Sequence, residues 1–557
     1  MSSPLIPSAL DAKTQTFPVL TPGQIDRVRQ VAKLRKVEVG EILFEPGDTN
    51  VPFFVILSGT IEVVQPKLGR ELAVTTHHPG QFTGEMTMIS GNRCLVRGRV
   101  TEAGEFLELS GDGLRALIAK DAELSEILMR AFILRRLELI NRGWGNVLLL
   151  GSSHSASTLQ LREFLTRNGH PYTYVDLDRD QTSQDLLDRF NVKIEEVPVV
   201  ICSVNGFVLR NPSIQKLADC LGMNNIVDEG HVSDLVIVGA GPSGLAAAVY
   251  AASEGLDVLI VEMASPGGQA GSSSKIENYL GFPTGISGYE LATRAITQAE
   301  KFGARMIIAH DVVRLDCDSR PYKVVLDNGS ALATRSVVVA TGAQYNKPGI
   351  ANLTRYEGQG IYYGATFMER QLCGDEDVIV VGGANSAGQA AVFLSQTGRK
   401  VHMLVRSGQL SDTMSRYLIQ RIEENPAIEL HYKTEIIGLE GNGHLERVAW
   451  LDKTSGETSV HDIRHVFIMA GASPRTAWLR GCLALDNKDF ILTGRDLDAA
   501  PERTAWPLSR APHMLETSLP GVFAVGDVRS GNVKRVASAV GEGAIAILLV
   551  HRALAEL

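Results

Sequence analysis

The chain runs to 557 residues, 44% of them hydrophobic, with 54 glycines and a formal net charge of −9. That length exceeds what one hydrophobic core serves and predicts roughly three or four domains, while the acidic balance excludes nucleic acid as the main partner. No apolar run approaches the roughly 20 residues that cross a bilayer, and the N-terminus lacks a basic region followed by an apolar core. A cytoplasmic protein with no membrane span is therefore expected.

In chain order, residues 1–20 read as a flexible arm rich in Pro, Ser and Thr. Thr21-Pro22 then supplies a helix cap followed by proline at the first helical position, opening the helix QIDRVRQVAKL. Short alternating strands follow (EILFEPGD, FFVILSGTIEVVQ, ELAVTTHHPGQF, RGRVTEAGEFLEL), the spacing of a small all-β barrel. A stretch with apolar residues at three- and four-residue steps, 112–142, adds helices and closes a first domain over 21–145. Within it stand Val39-Gly40-Glu41, Phe44-x-x-Gly47-Asp48, Phe54-x-x-x-Ser58-Gly59 and Phe82-Thr83-Gly84-Glu85-Met86. On those residues the segment resembles the cyclic-nucleotide-binding domain. The resemblance implies that Glu85 binds a ribose 2′-hydroxyl and that an arginine farther on grips the cyclic phosphate. Arg93 is the candidate, although it falls early and Cys94 stands where the family often has its arginine. A cyclic-nucleotide sensor and a ligand-free docking barrel both stay open.

Residues 146–225 form a second segment. NVLLLG, LQLREFLTRNG, PYTYVDLDRD, SQDLLDRFNV and EEVPVVICSVNGFVLRNP read as strand, helix, strand, helix and hairpin, with Val197-Pro198 before a strand. That order resembles thioredoxin and glutaredoxin, which implies a cis proline facing a redox dithiol. The dithiol position reads Ser153-His154-Ser155-Ala156-Ser157, and a serine hydroxyl is no nucleophile toward disulfides. His154 and Ser155 read as a polar loop capping the next helix.

The chemistry lies farther on. DLVIVGAGPSG, residues 234–244, is a strand ending in Gly239-x-Gly241-x-x-Gly244, with Pro242 and Ser243 inside the turn. A helix-forming segment follows, and then the strand DVLIVE, which ends at Glu262, 18 residues past Gly244. One glycine serves the tight turn, one lets backbone approach a pyrophosphate, and one packs helix on strand. The helix N-terminus offers free N–H groups to phosphates, and Glu262 is placed to accept from an adenosine ribose. A second such unit, residues 377–406, turns on Gly382-x-Ala384-x-x-Ala387, with Asn385 and Ser386 between, and its second strand ends in Arg406. An arginine there pairs with a ribose 2′-phosphate through a charge-assisted bond worth about 1.5–3 kcal/mol. Two turns predict two cofactors, FAD and a nicotinamide, with NADPH favoured and NADH possible.

Residues 232–557 resemble the low-molecular-weight thioredoxin reductases. GGQAGSSSKIENYLGFP (267–283) matches the loop against the flavin, and by that resemblance Gly268, Gln269 and Asn278 contact it. SVVVATGAQ (336–344) brings Thr341 and Gly342 to the FAD domain, and GVFAVGDV (521–528) brings Asp527 to the ribityl chain. Arg535-Val536-Ala537 opens the final helix at the flavin. FIMAGASPRT (467–476) matches the crossover back from the nicotinamide domain and contributes Gly471. The implied architecture is multidomain: a β-barrel with helices, a thioredoxin-like α/β domain, and two Rossmann-like three-layer domains. The FAD domain covers 232–348 and 475–557, with a nicotinamide domain at 349–474 between its parts. The family's Cys-Ala-Thr-Cys turn is replaced by Tyr363-Gly364-Ala365-Thr366-Phe367.

Six cysteines, Cys94, Cys202, Cys220, Cys317, Cys373 and Cys482, come no closer than 18 positions, so the chain has no Cys-x-x-Cys, no zinc spacing and no disulfide framework. Each reads as a small buried hydrophobe. The expected activity is hydride transfer from NAD(P)H to FAD and on to an acceptor that meets the flavin directly: a redox protein, a quinone, dioxygen or a partner disulfide. Hydride transfer demands no side-chain acid or base, so no catalytic residue and no metal ligand is assigned. A redox- or cyclic-nucleotide-sensing regulator is the second reading, and disulfide reduction through Cys373 or Cys202 the third. The resemblance implies a homodimer.

Overall fold

Thr21 caps α1 (Pro22–Arg29): its hydroxyl accepts the Gln24 N–H while the Gln24 side chain accepts the Thr21 N–H, and Pro22 fills the first helical position. The computed structural model describes residues 14–556, apart from 68–69, 91–92, 143–146, 154, 179–192, 194–195, 203–206, 225–229, 274, 358, 364, 366–372, 375, 398–399, 412–413, 470–471 and 499–505. After α1 come β1 (Lys33–Val37), β2 (Ile42–Phe44), β3 (Phe53–Ile56), β4 (Thr60–Lys67), β5 (Arg70–His77), β6 (Arg97–Glu102) and β7 (Gly104–Leu109). They form two antiparallel sheets in the orders β1-β7-β3 and β2-β6-β4-β5. Phe53, Phe54, Phe82 and Phe106 are fully buried in the core of this unit. The short α2 (Thr87–Ser90) precedes β6, and α3 (Gly111–Lys120) and α4 (Ala122–Asn141) close the domain. Phe132 of α4 meets Phe53 and Phe82 edge-on.

Residues 14–20, expected to belong to a flexible arm, are fixed against this barrel. Leu20 is buried in its core and donates its N–H to Gly80 O at 2.8 Å, while Thr16 O accepts from Arg135 Nε at 2.9 Å. Composition marks a polar stretch as loose; these residues find a buried arginine and an apolar pocket that composition does not reveal.

The next unit is a four-stranded sheet in the order β11-β10-β8-β9, built from β8 (Val147–Gly151), β9 (Tyr172–Asp176), β10 (Val199–Cys202) and β11 (Phe207–Arg210). β8 and β9 are parallel, β10 is antiparallel to both its neighbours, and the Val197-Pro198 bond that leads into β10 is cis. Helices α5 (Ala156–Arg167) and α6 (Ile214–Leu221) cover it. The helix expected within 183–192 and His154 lie outside the described residues. α6 is an addition: Ser213 caps it, Leu217 and Ala218 are buried, and Gly222 ends it in the left-handed conformation.

A seven-stranded sheet follows, in the order β14-β13-β12-β17-β16-β15 with β28 beside β17. Its members are β12 (Val232–Val238), β13 (Val258–Glu262), β14 (Arg305–Ile308), β15 (Val312–Asp316), β16 (Tyr322–Leu326), β17 (Ala331–Val339) and β28 (Val522–Ala524). The β14–β12, β17 and β28 strands run parallel and carry α7 (Pro242–Ser253), α8 (Gly288–Lys301) and α11 (Val536–Glu556). A second parallel sheet has the order β19-β26-β20-β21-β22: β19 (Ile361–Tyr362), β20 (Val378–Val381), β21 (Val401–Val405), β22 (Ile428–Tyr432) and β26 (His465–Ile468). It carries α9 (Asn385–Leu394) and α10 (Arg416–Glu423), with a separate antiparallel meander β23 (Thr434–Glu440), β24 (Arg447–Asp452) and β25 (Thr458–His461). The chain leaves and re-enters the first sheet through an antiparallel pair, β18 (Ala343–Tyr345) with β27 (Ala472–Pro474). Two crossing strands side by side form the hinge between the sheets.

Two features bear on the sequence expectations. α11 is, among the described helices, long and apolar enough to cross a membrane by length and composition, yet Ala546, Ile547, Val550 and Ala553 are fully buried in the core it shares with α7. Cys317 and Cys482 are not separate buried hydrophobes but a disulfide with Cα atoms 6.1 Å apart. They are 165 positions apart, a distance at which sequence spacing carries no pairing signal.

Candidate cofactor sites

β12 delivers the chain to Gly239 with φ +104°, a conformation that favours glycine, and a Cβ there would stand 2.4 Å from Ala340 O. Gly241 is the helix cap of α7 and contributes no side-chain hydrogen bond, with Pro242 directly behind it. A Cβ on Gly241 would meet only Gly268 Cα, at 4.0 Å, while a Cβ on Gly268 would stand 3.0 Å from Gly241 Cα, so the two glycines let backbone pack on backbone. The first N–H groups of α7 carry no side-chain cap and point toward a phosphate approaching the turn. Gly244 packs the helix onto the turn: its missing Cβ would fall 1.9 Å from Gly239 O. Ser243 is buried beneath, and Gly526 and Gly543 close on it from the C-terminal part of the chain.

Glu262 ends β13 buried, its Oε2 accepting Ala240 N–H at 2.8 Å and Oε1 accepting Ala264 N–H at 3.1 Å. Burial raises its carboxyl above the ordinary range, and those two N–H groups oppose the shift. Each oxygen keeps a lone pair for a ribose hydroxyl. Gln269 donates its amide to Ala343 O, joining the flavin loop to the hinge strand, whereas Asn278 is exposed. Thr341 donates to Arg475 O at 3.0 Å across the same hinge, and Gly342 has φ +63°. Asp527 is half-buried, takes no hydrogen bond among the described residues, and is raised by desolvation against the pull of Lys534. A desolvated carboxylate without a donor suits a polyol chain that brings hydroxyls. Arg535 and Ala537 are exposed and Val536 half-buried at the start of α11.

Two contributors escaped the sequence reading. Glu542, an acid in an apolar helix, accepts Gly526 N–H at 2.7 Å and also binds Arg529 and Asn532. It fixes the turn that presents Asp527, and its signal was a lone charge in AVGEGAIAILLV. Arg167 of α5 donates to Gly268 O at 3.0 Å, tying the second unit to the phosphate cleft; nothing local marks it.

The second turn repeats the design in looser form. Gly382 has φ +143° and lies against Met469 O, Ala384 caps α9 without a side-chain bond, and Ala387 is fully buried. Ala384, Asn385, Ser386 and Arg406 are exposed, and Asn385 Oδ1 accepts Ser415 N–H at 2.8 Å. That bond places the start of α10, with Arg416, beside the turn. Gly471 lies outside the described residues. So do Gly364, Thr366 and Phe367 of the replaced dithiol turn, while Ala365 and Cys373 are buried in the nicotinamide core.

In the barrel, Glu85 is buried with both carboxylate oxygens lacking a hydrogen bond among the described residues, and Arg136 stands 3.6 Å away. Arg93 is turned elsewhere: its Nη1 donates to Cys220 O of the second unit at 3.4 Å. The two candidate nucleotide ligands are thus engaged by different neighbours.

Residues 233–543 match the pyridine nucleotide-disulphide oxidoreductase family. The chain belongs to it. Residues 34–121 match the cyclic nucleotide-binding domain separately. Among curated proteins, the chain is 30% identical to the thioredoxin reductase of Bacillus subtilis over 337 residues, 59% of this chain and 98% of that one. It is 32% identical to that of Ureaplasma parvum over 319 residues, covering 57% and 95%. Among solved structures, Lactococcus lactis thioredoxin reductase in its FR conformation superimposes with a TM-score of 0.52 at 26% identity, over 58% of this chain and all of that one. The T. acidophilum enzyme gives 0.51 at 29% identity, over 57% and 98%. This family member is an FAD-containing NAD(P)H oxidoreductase with a cyclic nucleotide-binding domain at its front. FAD fits the residues present: α7 begins without a side-chain cap behind a turn of close-packed glycines, and the carboxylates of Glu262 and Asp527 suit hydroxyl groups.

Proposed function

We propose that this chain takes hydride from NAD(P)H at its FAD and delivers the electrons directly to an acceptor that meets the flavin, without a dithiol of its own. The observation that carries this is chemical: the sequence has no Cys-x-x-Cys, and Gly364 and Phe367 stand where the resemblance puts the two thiols. Cys373, nine positions past Gly364, is buried and packs with Val378 and Val380. The acceptor classes are a redox protein, a quinone, dioxygen or a disulfide on a partner. FAD supplies the hydride chemistry when bound; the residues of this chain bind it, orient it and exclude water. Gly239, Gly241 and Gly268 shape its phosphate cleft, Glu262 and Asp527 take its hydroxyls, and Gln269 sets the loop beside the ring.

NADPH is the preferred donor on the strength of Arg406. The four-stranded unit is thioredoxin-like, supported by its strand order and by Pro198 ahead of β10. It works as a fixed adaptor because its active-loop position carries serines. A cytoplasmic homodimer completes the reading. Anaerobic titration of the FAD-loaded protein with NADPH and with NADH, followed by an acceptor screen, tests it. Bleaching of the flavin absorbance by NADPH is expected; a flavin that neither nucleotide bleaches overturns the proposal.

A further inference from the structure

Cys202 and Cys220 lie with their sulfurs 3.3 Å apart. Cys202 is the last residue of β10 and pairs in register with Val147, the first residue of β8. The serine loop follows Gly151, at the other end of β8, so this thiol pair sits at the opposite edge of the sheet from the loop where the fold would carry a dithiol. Cys220 lies in the last turn of α6 and is half-buried, whereas Cys202 is buried. Around them meet three units. Their core cluster includes Ala309 and Ile308 from the end of β14, and Asn224 accepts Ile308 N–H at 2.8 Å. From the barrel, Arg93 donates to Cys220 O and lies so close to Gly222 that a Cβ there would fall 2.3 Å from Arg93 Nε. A cation is thereby set at the C-terminus of α6, where the helix dipole favours it.

We propose that Cys202 and Cys220 form a thiol–disulfide exchange site that takes a small disulfide of the glutathione type and closes to an intramolecular disulfide at the three-unit junction. Cys220 is the attacking group, being the accessible one. Its thiol is drawn down to about 7, chiefly by the hydrogen bond from Cys202 and, against desolvation, by Arg93, while Cys202 is raised. The Cys220 thiolate attacks one sulfur of RS–SR, the S–S bond breaks, and RS⁻ leaves and is protonated. Cys202 then loses its proton to solvent and attacks Cys220 Sγ, releasing the second RSH. The small disulfide is reduced by two electrons and the protein dithiol is oxidised by two; excess RSH reverses both steps. Oxidation bolts β10 to α6 directly beneath Arg93. The site needs neither FAD nor NAD(P)H, so its failure is separate from that of the proposed electron transfer.

The test uses the full-length protein, reduced, freed of thiol and equilibrated in a series of oxidised-to-reduced glutathione ratios. Acid quenching, alkylation and peptide mass analysis read the thiols. We expect a cross-linked Cys202–Cys220 peptide and the loss of two alkylatable thiols. Cys202→Ser accumulates one glutathione adduct on Cys220, and Cys220→Ser leaves Cys202 free. Arg93→Ala, whose Cys220 thiolate lacks the cation, reacts roughly twofold more slowly. If Cys202 and Cys220 both remain alkylatable at the most oxidising ratio, the proposal fails. It also fails if wild-type protein stops at an adduct on Cys220 with Cys202 still free.

Discussion

Gly244→Ala tests whether the first glycine turn is the FAD phosphate site, because the structure sets the size of the insult. The new Cβ would start 1.9 Å from Gly239 O and 3.3 Å from Ala340 Cβ, whereas real Cβ atoms do not approach within 3.0 Å of such atoms. Backbone on one side must therefore retreat by about 1.1 Å, measured from those two distances. Gly239 has little room to yield: its N–H is bonded to Val261 O at 2.8 Å and its own face lies against Ala340 O. The strain falls on the α7 N-terminus, which moves off the turn it presents to the pyrophosphate. Overpacking of this kind costs about 1–3 kcal/mol. At tenfold per 1.4 kcal/mol, FAD affinity falls by roughly 5- to 150-fold. The other turn supplies the control, since Ala387 already occupies the matching place fully buried. Ala387→Gly costs only helix propensity, about 1 kcal/mol of stability, and leaves FAD affinity unchanged. Fluorescence titration of FAD into apoprotein measures both, with melting of the apoprotein as the folding control. A folded Gly244→Ala protein that binds FAD within twofold of wild type would refute the assignment of this turn.

Arg406→Ala should raise KM for NADPH by roughly 10- to 150-fold, the loss of about 1.5–3 kcal/mol, with KM for NADH little changed; equal effects on the two nucleotides would remove Arg406 from the 2′-phosphate. Glu516→Ala should cost about 3–5 kcal/mol in denaturant melts. Glu516 is fully buried, accepts from Arg510 at 2.7 and 3.0 Å and from Gly521 N–H at 2.9 Å, and steadies the approach to β28; a loss below about 1 kcal/mol would sink this account. Glu300 of α8 is raised from 4.5 to about 7 by burial, with Arg136 opposing and Glu85 adding to the shift. Its folded form holds the proton more tightly than the unfolded one, so the stability present below pH 4.5 drains away as pH rises through about 7. Glu300→Gln should flatten that decline between pH 5 and 8 in melting experiments, and an unchanged slope would clear Glu300.

Both nucleotide units were legible because their information is local. A strand, a turn of small residues, a helix and a second strand sit within 30 consecutive positions, and Gly244 answers a clash within its own turn, with Gly239 O. The barrel strands and the β10–β11 hairpin read for the same reason, as alternation between turn residues. What stayed hidden depends on distant neighbours. Arg167 reaches Gly268 across 101 positions, and Arg135 binds Thr16 across 119. The Cys202–Cys220 contact spans only 18 positions, yet it needs the hairpin and α6 to fold back on each other. α6 itself was readable: Ser213 as cap, Leu217 and Ala218 inward, Gly222 as stop. Its eight residues sat between a hairpin and a domain boundary and offered barely two turns of period.

The barrel joins the redox core through charge. In the cyclic-nucleotide resemblance Glu85 and an arginine face one ligand, but here Arg93 meets the second unit while Glu85 faces Arg136 of the barrel's own α4. Arg93 stands at the C-terminus of α6. Arg136 lies 3.6 Å from Glu85, and its field also reaches Glu300 on α8 and His170 after α5. His170 is buried and pushed down to about 3, by desolvation first and by Arg136 second, so it sits neutral and adds no competing cation. The guanidinium that faces Glu85 of the barrel therefore also acts electrostatically on Glu300 of the FAD unit, where burial raises the carboxyl to about 7. Coulomb coupling at such low dielectric is strong. Glu300 of α8 thus feels both barrel charges, Arg136 lowering and Glu85 raising its proton affinity. Since α8 packs on α7, the helix whose N-terminus forms the phosphate cleft, the barrel and the cofactor site are mechanically two helices apart.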